Sequence, residues 1–191
     1  MDLEARIGRL EDQAAIYDCL TAYCRGVDRL DRELLLSAYH PDAIDDHGVF
    51  VGSPVAFADW VFAFHRQNQS VTQHMLCNHR CDLDADLAHT ETYYLTASLG
   101  PDGQRLPLSG GRYIDRFERR DGRWAIALRK CLFEWRGPVG EVSLHPGGPD
   151  WPLAGPVTRD RSDASYDRPL ALDARRVGLV WPPFDLRRPT P

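Results

Sequence analysis

The stretch from Leu108 to Trp135, LSGGRYIDRFERRDGRWAIALRKCLFEW, decides the fold class. Its two halves, Leu108 to Arg119 and Arg123 to Trp135, have a period near two and read as strands. Between them stands Asp121-Gly122. Both central positions of a type I′ turn need positive φ, so this pair predicts a tight hairpin. Working back from the hairpin, Val71 to Leu83 and Ala88 to Leu99 read as two further strands, and Pro101-Asp102-Gly103 marks a turn.

The residues before Val71 follow a different rhythm. Leu3, Ile7, Leu10, Ala14, Tyr17, Leu20, Cys24 and Val27 recur at three- and four-residue steps, which predicts one long amphipathic helix. A second, short helix is expected over Arg32 to Tyr39, ended by Pro41. Ala43 to Val51 reads as a short strand pair turning at Gly48. Ser53-Pro54 supplies an N-cap with proline at the first helical position, predicting a third helix to about Asn68. Helices first and a strand meander afterwards is an α+β order, not an alternating one. Beyond Gly137 the chain is proline-rich yet holds Trp151, Tyr166, Trp181 and Phe184. It reads as an extended arm, 137–191, packed on the body or on a neighbouring subunit; a flexible appendage is the alternative. The body is 1–136.

Composition narrows the function. The 191 residues suit one domain, and a net charge of −5 gives no basic field for gripping nucleic acid. No apolar run is long enough for a membrane helix, and the charged start MDLEARIGRLEDQ is unlike a signal peptide, so a cytoplasmic protein is expected. Cys19, Cys24, Cys77, Cys81 and Cys131 are odd in number and without a CxxC pair, which fits buried free thiols. There is no Gly-rich phosphate loop, GxSxG or calcium loop.

Several side chains could carry chemistry. Asp28 lies at the edge of the first helix's apolar stripe, where a carboxylate needs a partner. That partner could be structural, an arginine or a cap on the second helix, or functional. His74 opens the strand QHMLCNHRCDL. Strict alternation puts His74, Leu76, Asn78 and Arg80 on one face and Met75, Cys77, His79, Cys81 and Leu83 on the other. That mixed face could line a pocket or meet solvent, and His74 and His79, on opposite faces, make poor co-ligands. The run from His40 to His47, HPDAIDDH, invites a metal reading, but it lacks the spacing of a known ligand motif; turns and caps are the plainer reading, and no metal is expected. Tyr23, Tyr93, Tyr94, Tyr113 and Arg129 are further pocket candidates.

Taken together, these residues resemble the SnoaL-like members of the nuclear-transport-factor-2-like superfamily, in the scytalone dehydratase-like branch. Carrying the resemblance are Tyr23-Cys24-Arg25-Gly26-Val27-Asp28, Asp31, Tyr39 to Gly48, Phe50 with Gly52, Thr72-Gln73-His74 with Asn78, Ala88, Glu91 to Tyr94, and Trp124. It covers roughly residues 5 to 136. It implies a cone of bent antiparallel sheet, an α+β barrel closed by the N-terminal helices, with a pocket inside. Related enzymes include scytalone dehydratase, a hexachlorocyclohexane dehydrochlorinase, bile-acid dehydratase, ketosteroid isomerase, polyketide cyclases and formaldehyde-releasing enzymes acting on diaryl compounds. The resemblance implies an Asp28–His74 dyad in this pocket, with Tyr23, His47, Asn78, Tyr93 and Arg129 around a hydrophobic small molecule. Val27 and Asp46 stand where scytalone dehydratase places its substrate-polarising tyrosines. A cofactor-free lyase follows as the expectation. An isomerase or cyclase using the same pocket, or a non-catalytic ligand-binding domain, are the alternatives. The resemblance also implies a homo-oligomer, a trimer or dimer.

Overall fold

The computed structural model describes residues 2–103, 106–139, 158–162 and Arg175. Three helices come first: α1 (Leu3–Arg29), α2 (Arg32–Ser37) and, after two strands, α3 (Pro54–Asn68). The strands are β1 (Tyr39–Asp46), β2 (Val51–Gly52), β3 (Val71–Asp84), β4 (Leu87–Leu99), β5 (Leu106–Arg120) and β6 (Arg123–Val139). They form one open sheet in the order β2-β1-β6-β5-β4-β3.

The local signals explain most boundaries. The Asp2 carboxylate accepts from the Ala5 amide at the start of α1, and Asp31 and Ser53 do the same for α2 and α3. Asp121 and Gly122 both take positive φ, 51° and 77°, as the type I′ hairpin between β5 and β6 requires.

Several sequence expectations change here. The second helix stops at Ser37 rather than running to Tyr39, and Pro41 lies inside β1 rather than ending a helix. A proline donates no ladder hydrogen bond, and it is accommodated because the pairing of β1 with β6 shifts register between Tyr39 and Ile44. The sheet is also not wholly antiparallel, since β1 pairs with β6 in parallel. β6 continues to Val139, slightly past the expected end of the body.

Bulges bend the long strands. The β5–β6 register shifts between Gly110 and Gly111 and again between Arg116 and Phe117. Gly111 is needed at the first shift, because a Cβ there would lie 1.9 Å from the Leu132 carbonyl oxygen. The helices pack into the curve. The core joins Ile16, Leu20, Tyr23 and Val27 of α1, Leu35 of α2, Phe57 and Val61 of α3, and Tyr113, Phe117 and Ile126 of the sheet. Only the end of the α1 stripe, Leu20, Cys24 and Val27, is buried; Leu3, Ile7, Leu10 and Tyr17 are exposed. Gly26 lets α2 cross close to α1, since a Cβ there would meet the Leu35 backbone at 2.6 Å. This crossing, together with the left-handed Leu30 that ends α1, fixes the helix end that carries Asp28.

Candidate active site

Asp28 sits in the last turn of α1 and His74 near the start of β3, the edge strand facing that helix. The two meet, as the resemblance implies. Nδ1 of His74 lies 2.6 Å from Asp28 Oδ1, and the His74 backbone N–H donates to Oδ2 at 2.9 Å. Both carboxylate oxygens are thus committed to one residue. With Nδ1–H donating to Asp28, the ring presents Nε2 as its acceptor. A groove of about 340 Å3 opens over the pair, lined also by Tyr17, Thr21, Cys24, Arg25 and Leu76.

A second histidine–aspartate pair joins His47 to Asp45. Nδ1 of His47 is hydrogen-bonded to Asp45, whose other oxygen accepts from the Tyr39 hydroxyl at 2.5 Å. The far nitrogen of His47 is 3.2 Å from the Tyr23 hydroxyl. Burial works against a charge on His47. The hydrogen bonds to Asp45 and Cys131 outweigh it and raise the group to about 9. Below that value His47 is a half-buried cation that donates towards Tyr23. Its folded value exceeds the ordinary unfolded value of about 6.5. The stabilisation from proton binding is therefore complete below about pH 6.5 and fades as pH rises through about 9. Melting temperature is expected to fall across this window in the native chain, and His47→Gln should largely remove that slope. An identical slope in the variant would show that His47 is not the group responsible.

Arg129 on β6 forms the third element. It is fully buried, donates through Nε and Nη2 to the two Asp115 oxygens at 2.8 Å each, and lies between the Tyr23 and Tyr113 rings at 4.1 and 4.2 Å. Its Nη1 has no acceptor among the described residues. Tyr94 stacks on Tyr113 and its hydroxyl accepts from the Cys131 thiol.

Not every candidate gathers here. Asn78 and Tyr93 are exposed. Tyr93 lies beneath the Arg112 guanidinium, which is tied to Glu91 and Glu134 away from the dyad. Asn78 is displaced by a register shift between Leu76 and His79, a bulge that reverses the phase of β3. His79 therefore turns inward towards Tyr17 of α1, on the same side as His74 and not the opposite one. The run from His40 to His47 is dispersed among protein partners. His40 bonds the Glu118 carbonyl, Asp42 pairs with Arg120, and Asp46 accepts from the Gly48 amide. Among the described residues no group of three or more His, Cys, Asp or Glu side chains could hold a metal.

The sequence reading missed Asp45, Tyr39, Asp115, His65 and Arg159. Asp45 and His47 carried a signal, an acid and a histidine two apart at the end of a strand. His65, on α3, stacks parallel to His74 with ring centroids 6.3 Å apart, and Arg159 reaches it from far along the chain. The short described piece Thr158–Ser162 touches the body at α1, α2 and α3. Trp151, Tyr166, Trp181 and Phe184 lie outside the described residues.

A family model for the SnoaL-like domain matches residues 8–130. No curated protein matches the sequence. Among solved structures, a hexachlorocyclohexane dehydrochlorinase from Novosphingobium barchaimii LL02 is similar with a TM-score of 0.67 and 24% identity, over 74% of this chain and 99% of that one. A scytalone dehydratase-like protein from Novosphingobium aromaticivorans gives 0.62 and 17%, over 73% and 95%. A Mycobacterium tuberculosis protein of unknown function gives 0.59 and 20%, over 66% and 74%. At these identities the likeness is one of fold. No described helix is long and apolar enough to cross a membrane.

Proposed function

The chain belongs to the SnoaL-like domain family, and from that premise we propose that it is a cofactor-free lyase acting on a hydrophobic aromatic or polycyclic small molecule through Asp28 and His74. The observation that carries this reading is the two-point hold of Asp28 on His74, through Nδ1 and the backbone N–H. A ring fixed in this way offers Nε2 as a general base.

In the reaction as proposed, Nε2 takes a proton from a carbon beside a carbonyl, or from a hydroxyl conjugated to the leaving group. The released electron pair moves into the conjugated system as the bond to the leaving group breaks. In the dehydration version a C–O bond breaks, and hydroxide departs with the proton returned by His74 as water. In the retro-aldol version Nε2 instead takes the proton of the hydroxyl on the departing fragment. That oxygen's electron pair forms the aldehyde C=O as the C–C bond breaks, the C–C pair enters the conjugated carbonyl system, and His74 returns the proton to that carbon. Asp28 stabilises the imidazolium formed in between. Negative charge on the substrate oxygen would be met by His47, with Tyr23 beside it and the Arg129 cation behind. Neither version calls for a metal or a redox group.

Native mass spectrometry of the protein mixed with extracts of its source organism tests this. The expected result is a retained compound that becomes lighter by the mass of water or of formaldehyde, and does not do so with His74→Gln. A retained compound of unchanged mass would favour an isomerase or a binding role. We also propose that the chain forms homo-oligomers through the outer face of the sheet, where Met75, Tyr93, Leu132 and Trp135 are exposed. Light scattering that reports a monomer at micromolar concentration would contradict this.

A further inference from the structure

His65 is buried in the fourth turn of α3, and its ring lies parallel to His74. The guanidinium of Arg159 approaches it from the segment Thr158–Ser162. Nη2 lies 2.9 Å from His65 Nδ1, while Nη1 donates to the Gln69 carbonyl at 2.7 Å and to the His65 carbonyl at 3.3 Å. These last two contacts place a cation on the carbonyls that close α3, where the helix dipole favours it. A guanidinium has only donors, so Nδ1 of His65 must accept. The ring proton is then on Nε2.

We propose that Arg159 is a positioning residue that locks His65 as the neutral Nε2–H tautomer, so that the site presents a fixed hydrogen-bond donor beside His74. His74 must gain and lose a proton in the reaction; His65, with Nδ1 occupied, only donates. Its use towards a substrate oxygen rests on the lyase reading above, whereas the tautomer assignment does not.

The charges around His65 act in the same direction. Burial disfavours its cation first; His74 of β3, Arg159 of the C-terminal segment and His47 beyond β1 add to this and push the group down to about 3. The carboxylate in this neighbourhood, Asp28, is engaged by His74 and also attracts Arg159. Arg29 and Arg66 face the same guanidinium. A guanidinium that keeps its charge when half-buried suits this task better than an ammonium, but a lysine would still donate.

Histidine-selective 15N NMR of the full chain tests the assignment, with the His65 signals identified by their loss in His65→Gln. In the native protein Nδ1 should show the acceptor-type shift and Nε2 the N–H-type shift, unchanged as pH falls through about 6.5, the ordinary histidine value. Arg159→Met should give a mixture of tautomers and raise the titration midpoint by about one pH unit or more. Arg159→Lys should restore the native pattern. His40, whose ring bonds the distant Glu118 carbonyl, reports whether each variant keeps the fold. A native His65 that carries its proton on Nδ1, or titrates near the ordinary value, overturns the proposal. So does Arg159→Met with an unchanged pattern. A protein that turns over no substrate but shows the native pattern would remove the lyase reading and leave this one standing.

Discussion

Arg129→Met is expected to cost about 3–5 kcal/mol of stability, the range for breaking one side of a buried ion pair. The double variant Arg129→Met with Asp115→Leu should cost distinctly less. Both native side chains are fully buried and joined by two 2.8 Å hydrogen bonds. Burial pushes the Asp115 carboxyl up even with Arg129 present. Alone, it must take a proton or remain an uncompensated charge in the core. Replacing both partners removes that penalty and leaves apolar groups of similar size. What the double variant cannot recover is the cation between the Tyr23 and Tyr113 rings. Denaturant midpoints with unchanged slopes measure the comparison. If the double variant lost the sum of two independent penalties, the pair would not be coupled in the sense described.

That pair also shows where the sequence stops being readable. The Asp121-Gly122 turn is legible, and counting back from it sets Asp115 opposite Leu128. The bulge between Arg116 and Phe117 advances the register by one, so Asp115 faces Arg129 instead. Nothing in the residue types announces that bulge. The same limit applies to β3, where a bulge after Leu76 turns His79 inward and separates it from the alternation that served for His74. Local periodicity assumes an unbroken pleat, and this sheet bends by breaking it. The Asp28–His74 pairing is implied by the family resemblance and not by periodicity, which marks Asp28 only as a carboxylate at the edge of an apolar helical stripe. His74 precedes the bulge, so its alternation is undisturbed. Gly26 in the same motif has an equally local cause, the close crossing of α1 and α2. Arg159 and His65 lie far apart in sequence, and no spacing rule brings them together.

His74→Gln is expected to lower kcat/KM by about 10²–10⁴, the usual share of a positioned general base. Binding of the retained compound should change much less. Asp28→Asn should be nearly as damaging, although it removes only a charge. In the native site both Asp28 oxygens accept from His74, one from the ring and one from the backbone. An amide has one acceptor and one donor end. If its oxygen faces the backbone N–H, its NH₂ meets Nδ1, and the ring must move its proton to Nε2. That tautomer has no base at the position that needs one. If the amide turns the other way, the NH₂ meets the backbone N–H and the two donors repel. Either arrangement impairs the dyad without emptying the groove beside it. Because the two residues act as one unit, the double variant should be little worse than the poorer single one. Rates for all four proteins, measured on the compound identified by native mass spectrometry, form the test. Fully additive losses would mean that Asp28 and His74 contribute separately, and that the carboxylate does not work by setting the histidine's proton.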